Sequence, residues 1–261
     1  MTRLRIFWIG GRIAYRALFN WVSPWIYIPT MLGSPIFQIL FFAYLGRFSG
    51  VRSDAFFVIG NGVQVCSMSC IYGATMAIAN ERWFGTLAPL LASPANRPAI
   101  FLGRAVPYIA NGLFVSAFGL ATGWAILRFP LAARDVPALA LVLVVTVISC
   151  TGFGLLLGSV GLRRRDVFFA ANLAYYVFLL FCGVNVPLES LPGWMEAIGR
   201  VLPLTHGIAA AREVAAGGSL GSVAGLVWTE LGIGAAWAAA AYGLFRFFEA
   251  ESRRRASLET V

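Results

Sequence analysis

The sequence predicts an all-α, polytopic membrane protein in which six transmembrane helices form one domain over residues 1–261. Three observations carry that prediction. Of 261 residues, 59% are hydrophobic and 12% charged, with a mean hydropathy of +0.79, more apolar surface than a soluble domain covers with polar atoms. A helix needs roughly 20 residues to cross about 30 Å of hydrocarbon, and six apolar runs of about that length lie between charges. No segment carries a strand pattern.

Composition also excludes whole classes of chemistry. All 20 basic residues are Arg, set against 11 acidic residues and one His. A site built on Lys or on several His ligands is therefore impossible, and so is a P-loop, which needs a Lys beside the phosphates. The net charge of +9 fits Arg-rich edges beside anionic headgroups rather than nucleic acid, given how apolar the chain is. Cys66, Cys70, Cys150 and Cys182 sit inside apolar stretches and read as small core residues, with neither a disulfide nor a metal site expected. Arg12 and Arg16 interrupt the N-terminal region, so no cleavable signal peptide is expected there.

Residues 3–20 come first. Helical spacing places Arg5, Arg12 and Arg16 within about 40° of one another, with Phe7, Trp8, Ile13, Leu18 and Phe19 over much of the remaining surface. This is the pattern of a helix lying in the inner headgroup layer. The alternative is a plain extension of the first span, which Asn20 and Ser23-Pro24 argue against. The spans follow at 24–46, 55–79, 105–127, 136–162, 167–187 and 220–245. Between the second and third, Trp83, Phe84, Leu87, Leu90 and Leu91 give an amphipathic helix over 81–94 that Pro94 and Pro98 stop. Between the fifth and sixth, residues 188–218 hold two short helices. Pro192 starts one and Thr205 caps the other, which ends at Gly217-Gly218. Such an element suggests a re-entrant structure in the outer leaflet, its backbone satisfied against protein.

Orientation follows from Arg placement. With both termini cytoplasmic, fourteen of the 20 Arg lie on inner segments, Arg163-Arg164-Arg165 among them, and only Arg47, Arg52, Arg128, Arg134, Arg200 and Arg212 lie outside.

Two stretches carry a resemblance. Glu81-Arg82, Gly85-Thr86-Leu87, Leu90-Leu91 and Pro94 follow the pattern E-R-x-x-G-T-L-x-x-L-L-x-x-P. Leu202-Pro203-Leu204-Thr205-His206, then Arg212 and Gly217, follow L-P-L-T/S-H…R…G. With the six spans, these resemble the membrane subunit of a type-2 ATP-binding-cassette exporter, a family that includes drug-resistance permeases and exporters of lipo-oligosaccharides and surface polysaccharides. Trp83-Phe84 and Ala88 depart from charged residues common in relatives, which leaves the partner-contacting charges open. The resemblance implies that 81–94 is a coupling helix seated in a groove of a separate ATPase. Leu87, Leu90 and Leu91 would make its buried contact, and Glu81 and Arg82 would set its orientation. The alternative is a helix resting on lipid. ATP and Mg would be bound by two partner ATPase subunits and no cofactor by this chain, which is expected not to be an enzyme.

The substrate path is read from polar stripes. Asn61, Gln64, Met68, Tyr72 and Thr75 fall within about 80° on the second span. Asn172, Tyr175, Tyr176 and Leu179 form a similar face on the fifth. Polar groups so concentrated face protein or water, so they line a path or pack helices together; the resemblance places the family's path between these two spans. Aromatic residues such as Phe41, Phe42, Tyr44, Phe178 and Phe181 suit an amphipathic cargo, although most of them face lipid or pack. Glu230, inside the sixth span, serves substrate or gating, or else is a hydrogen-bonded structural group. His206 lacks any companion nucleophile and reads as a packing group beside Pro203, Thr205 and Arg212; no catalytic residue is expected.

The expected protein is a permease in a bacterial inner membrane. It pairs with a second copy or a related permease, contacts membrane lipid, and exports an amphipathic small molecule, drug, lipid or glycan by alternating access. A membrane-embedded lipid or glycosyl transferase, or an ion- or proton-coupled carrier, is the alternative.

Overall fold

The computed structural model describes residues 7–14, 24–50, 53–83, 85, 86, 89, 97–128, 131–162 and 167–255, and every regular element among the described residues is helical. Helix α1 covers residues 7–14. Helix α2 runs through Pro24–Tyr27, Ile28–Gly33 and Ser34–Ser49 without a break, and α3 through Asp54–Ser67, Met68–Tyr72 and Gly73–Trp83; the middle piece of each has wide π turns. The rest are α4 (Arg97–Leu127), α5 (Val136–Gly161), α6 (Val167–Phe181), α7 (Gly193–Val201), α8 (Thr205–Ala215) and α9 (Leu220–Arg255).

Five of these, α2, α3, α4, α5 and α9, are long and apolar enough to cross a membrane. Each overlaps an expected span and runs past it by one to ten residues at one or both ends, apart from α5, which stops one residue short. The exception is α6. The expected span over 167–187 is helical only to Phe181, where Gly183 at φ +73 turns the chain out of helical conformation. Fifteen residues rise about 22 Å, short of the hydrocarbon thickness. The last part of that expected span is therefore non-helical backbone. Of the interfacial helix expected over 3–20, the described part is α1; residues 3–6 and 15–20 lie outside the described residues. Trp8 and Ile13 on α1 are exposed.

Helix α3 is the centre of the bundle. Its most apolar window is 78% buried, whereas those of α2 and α9 are only 17% buried and form the lateral faces. The reason is local: α3 is rich in small and polar side chains, and neighbouring helices close over it. Helix α9 lies along α5 in backbone contact, since a Cβ on Gly152 would stand 2.7 Å from the Gly234 carbonyl. Small residues permit that approach where lipid supplies no hydrophobic drive between helices. Ser149 and Ser159 of α5 then donate to the Glu230 and Ala241 carbonyls of α9, both at 3.1 Å. At the turn between α2 and α3, the Arg47 Nε–H reaches both Asp54 carboxylate oxygens, at 2.8 and 2.9 Å.

Candidate substrate path and coupling site

The two expected stripes meet through a residue that neither contains. Gln38 of α2 donates from Nε2 to Asn61 Oδ1 at 2.9 Å and to Gln64 Oε1 at 3.2 Å, both on α3. It accepts at Oε1 from the Tyr175 hydroxyl of α6. Asn61 Nδ2 in turn donates to Asn185 Oδ1 at 2.7 Å and to the Phe57 carbonyl at 3.0 Å. Asn61 and Gln64 are wholly buried, so this neutral network ties α2, α3, α6 and the chain after α6 together. Gln64 Nε2 and Ser67 Oγ nevertheless find no hydrogen-bond partner among the described residues.

Beside the network opens a cleft of about 280 Å³ between α2, α3, α4 and α6. Gln38, Met68, Asn172, Tyr175 and Tyr176 line it, so four of the expected path residues share one cavity with the unexpected Gln38. Both π segments open onto it: Thr30 and Met31 come from one, Met68 and Ser69 from the other. A π turn inserts an extra residue and rotates its neighbours, a distortion that recurs at functional sites. Among the described residues, no lining side chain carries a formal charge.

Two members of the α3 stripe join neither the network nor the cleft. The Thr75 hydroxyl is buried and donates to the Ile71 and Gly154 carbonyls at 2.7 and 3.0 Å, so it packs α3 on α5. Tyr72 stands edge-on to Phe168 with ring centroids 5.3 Å apart.

Glu230 also stands apart from the cleft. It is fully buried, and its two oxygens accept the Leu204 and Gly207 backbone N–H groups at 2.8 and 3.0 Å. It therefore caps α8 from α9, a role that a carboxylate near a helix N-terminus performs with favourable dipole alignment. This replaces the expected cap from Thr205, which is the first helical residue of α8. Its hydroxyl turns instead to the Gly199 carbonyl at 2.6 Å. The His206 ring approaches the Arg200 carbonyl at 3.1 Å, and the Pro203 carbonyl accepts from the Cys182 thiol at 3.6 Å. Helix α7 starts immediately after Pro192.

Arg212 holds the non-helical segment that follows α6. Nη1 donates to the Gly183 carbonyl at 2.8 Å and Nη2 to Val184 at 2.7 Å, while Nε and Nη2 both reach Phe56 at 3.3 and 3.0 Å. The guanidinium also lies 3.6 Å from the Phe56 ring centroid. Backbone carbonyls that leave a helix need other donors, and the planar five-donor fork supplies them.

At the other end of α3, the coupling segment departs from its expected form. Glu81, Arg82 and Trp83 are the last turn of α3 rather than the start of a separate rod. Gly85 at φ +68 ends the helix, and the Thr86 N–H returns to the Glu81 carbonyl at 2.9 Å. This is a Schellman closure, in which the left-handed position favours Gly. Glu81 itself is buried. One carboxylate oxygen pairs with Arg104 of α4, and the other accepts the Thr86 hydroxyl at 2.6 Å. Leu87, Leu90, Leu91 and Pro94 lie outside the described residues.

Sequence reasoning missed Gln38, Asn185 and Arg104. Gln38 had a signal, since it is the only charged or carboxamide side chain in residues 24–46, and the rule that flags Glu230 flags it too.

A helical bundle with a polar cleft inside apolar spans defines a multi-pass membrane permease, and sequence comparison makes the class definite. The ABC-2 type transporter family model matches residues 12–215, a range that includes the first motif stretch and the second as far as Arg212. This chain belongs to that family. It is 30% identical over 184 residues to the probable multidrug ABC transporter permease YbhR of Escherichia coli (strain K12), covering 70% of this chain and 50% of the relative. It is 26% identical over 228 residues to the probable doxorubicin resistance ABC transporter permease protein DrrC of Mycobacterium tuberculosis (strain CDC 1551 / Oshkosh), covering 82% and 80%. Over 190 residues, 69% and 65% of the two chains, it is 27% identical to the daunorubicin resistance ABC transporter permease protein DrrB1 of Streptomyces coeruleorubidus. The chain spans about half the length of the first of these relatives.

Proposed function

We propose that this chain is the permease subunit of an ATP-driven exporter that moves an amphipathic small molecule, drug, lipid or glycan out of the cytoplasm or inner leaflet by alternating access. The observation that carries the reading is the uncharged polar cleft between α2, α3, α4 and α6, bordered by the Gln38–Asn61–Gln64–Tyr175 network. A cleft with hydrogen-bonding walls and apolar Met31 and Met68 suits a ligand that is partly polar and partly greasy. Membership of the ABC-2 family and the resistance permeases among its relatives support export.

Two ATPase subunits bind ATP and Mg and act on the segment after Glu81; the permease hydrolyses no nucleotide itself. A second copy or a related permease completes the path across the bilayer. Six crossings place both termini in the cytoplasm of a bacterial cell, with α6 and the Arg212-held segment after it acting together as the fifth crossing. The element containing α7 and α8 then lies on the outer side.

The test is export by the complex reconstituted in lipid vesicles, with ATP hydrolysis measured across a panel of amphipathic drugs and lipids. Gln38→Leu and Tyr175→Phe are expected to reduce substrate-stimulated hydrolysis by about 10-fold while leaving the unstimulated rate alone, as loss of a site-specific coupling of 1–2 kcal/mol does. Export driven by the permease without any ATPase chain would reject the proposal.

A further inference from the structure

Near the end of the bundle where α3 stops and α4 starts lies a cavity of about 400 Å³ that shares no lining residue with the polar cleft. Four helices enclose it, contributing Ile78 from α3, Phe101 and Leu102 from α4, Leu155 from α5 and Tyr242 from α9. Its origin is in the sequence. Helix α9 carries four consecutive alanines over 238–241, three of which line the cavity, so the space that longer side chains would fill beside α4 stays open. The walls are graded. Ile78, Phe101, Leu155 and Phe245 are buried in a small core of their own, with the Phe101 and Phe245 rings edge-on at a centroid distance of 5.1 Å. Leu102 and Tyr242 are about half exposed and form the rim, so the cavity opens sideways between helices.

The chemistry of the walls selects the occupant. Among the described residues, only Ser159 and Tyr242 bring polar side-chain atoms to the lining. The Ser159 hydroxyl is already engaged with the Leu155 and Ala241 carbonyls at 2.9 and 3.1 Å. A drug site fixes its ligand with convergent polar groups, and an ordered water needs several polar partners. Hydrocarbon needs neither. One buried chain attaches only weakly without a second signal, and Arg246 supplies one. It is exposed and lies four residues beyond Tyr242 on α9, the spacing that puts two side chains on one face a turn apart. That turn leads toward the end of the bundle, where the headgroup layer lies, and a rim Tyr at this level suits a membrane–water interface.

We propose that this cavity is a binding site for one acyl chain of an anionic phospholipid, whose phosphate pairs with Arg246. The lipid belongs to the leaflet that adjoins the last turns of α3. Its chain fills the gap beside the alanines and wedges α9 against α3 and α4, supplying packing that these side chains are too short to make. The site requires only that the bundle spans a bilayer; it does not depend on export.

The test uses the full-length chain, purified in the assembly it forms and reconstituted in nanodiscs. The probes are phosphatidylglycerol and phosphatidylcholine, each carrying a photoactivatable diazirine midway along one acyl chain, and cross-linked residues are mapped by mass spectrometry. Leu102, Ala239 and Tyr242 are expected to react about fivefold more with the phosphatidylglycerol probe, the preference that one Arg near the headgroups supplies. Arg246→Gln is expected to remove that preference and Arg246→Lys to keep it. Ala239→Trp, at an exposed position on the rim, fills the cavity and is expected to abolish cross-linking at Leu102 and Tyr242. Cross-linking at the outward Trp228 of α9 is expected to stay the same in every variant, which separates loss of the site from loss of the fold. Equal reaction with the two headgroups overturns the proposal, and so does cavity labelling that survives Ala239→Trp. A cavity that neither probe reaches, as when a side chain of a second permease fills it, overturns it as well.

Discussion

Glu230 and Glu81 are both carboxylates set among apolar helices, and each is held by donors supplied from other segments of the fold. Glu230 takes two backbone N–H groups of the α7–α8 element, and Glu81 takes a guanidinium and a hydroxyl. Both sites follow one rule: burial of a charge is tolerated where every lone pair that matters is used. For Glu230 the consequence is stability. Glu230→Ala strips the Leu204 and Gly207 N–H groups of their acceptor in a site closed to water, costing about 1–3 kcal/mol for each orphaned group. Glu230→Gln retains one acceptor and is expected to lose about half as much. Thermal unfolding in detergent, followed by the exposure of Cys182 to a thiol dye, checks both. An unchanged midpoint in Glu230→Ala would contradict the capping role. Sequence alone leaves this residue ambiguous between path and scaffold, because its donors lie 23 and 26 positions away. Gln38 and Tyr175, 137 positions apart, show the same limit: each is recognisable as polar, but only folding makes them partners.

At the scale of elements, helix length and helix ends explain most of the departures from expectation. The span beginning at Val167 is apolar well past Phe181, so hydropathy extends it to 187. The left-handed Gly183 and the carbonyl grip of Arg212 stop the helix earlier. In the same way, the pattern after Glu81 reads as one amphipathic rod, whereas Gly85 closes α3 first. Glycine permits but does not compel a left-handed turn, which is why neither stop is legible from residue type. The contact of α1 with α4 is likewise one of backbone proximity. Gly103→Ala forces a Cβ to within 2.4 Å of the Phe7 carbonyl, and backbone on both sides leaves no flexible atom to yield. The variant is expected to lift α1 from α4 and raise the amide exchange of residues 7–14 by about 10-fold or more, as local opening does when its contacts are lost. Protection equal to the parent's would show that α1 is held by other contacts.

For the whole molecule, the burial pattern separates a central helix from lateral ones. Helix α3 is enclosed by its neighbours, while α2 and α9 present Phe37, Phe41, Phe48, Trp228 and Phe247 outward. Those faces fit acyl chains or the second permease of the proposed pair. The proposed orientation makes a direct prediction. A membrane-impermeant maleimide is expected to label Ser190→Cys in intact cells and Thr86→Cys only after the membrane is opened, both positions being exposed and no native thiol competing. Labelling of Thr86→Cys in intact cells would reverse the topology and place the loop after α3 out of reach of any cytoplasmic ATPase.

Residue type and order alone were enough to determine that the chain is helical and membrane-embedded, roughly where its apolar segments lie, and which two motif stretches it shares with a transporter family. Hydropathy and Arg placement are sums over local composition, and such sums do not depend on which residues touch. What only the tertiary structure decided is how polar groups are partnered: Gln38 joining two stripes at one cleft, Glu230 capping α8, Arg212 holding the chain beyond α6, and Arg104 meeting Glu81. Hydrogen bonds and ion pairs form between particular atoms within about 3 Å, and that proximity arises only once distant helices have packed.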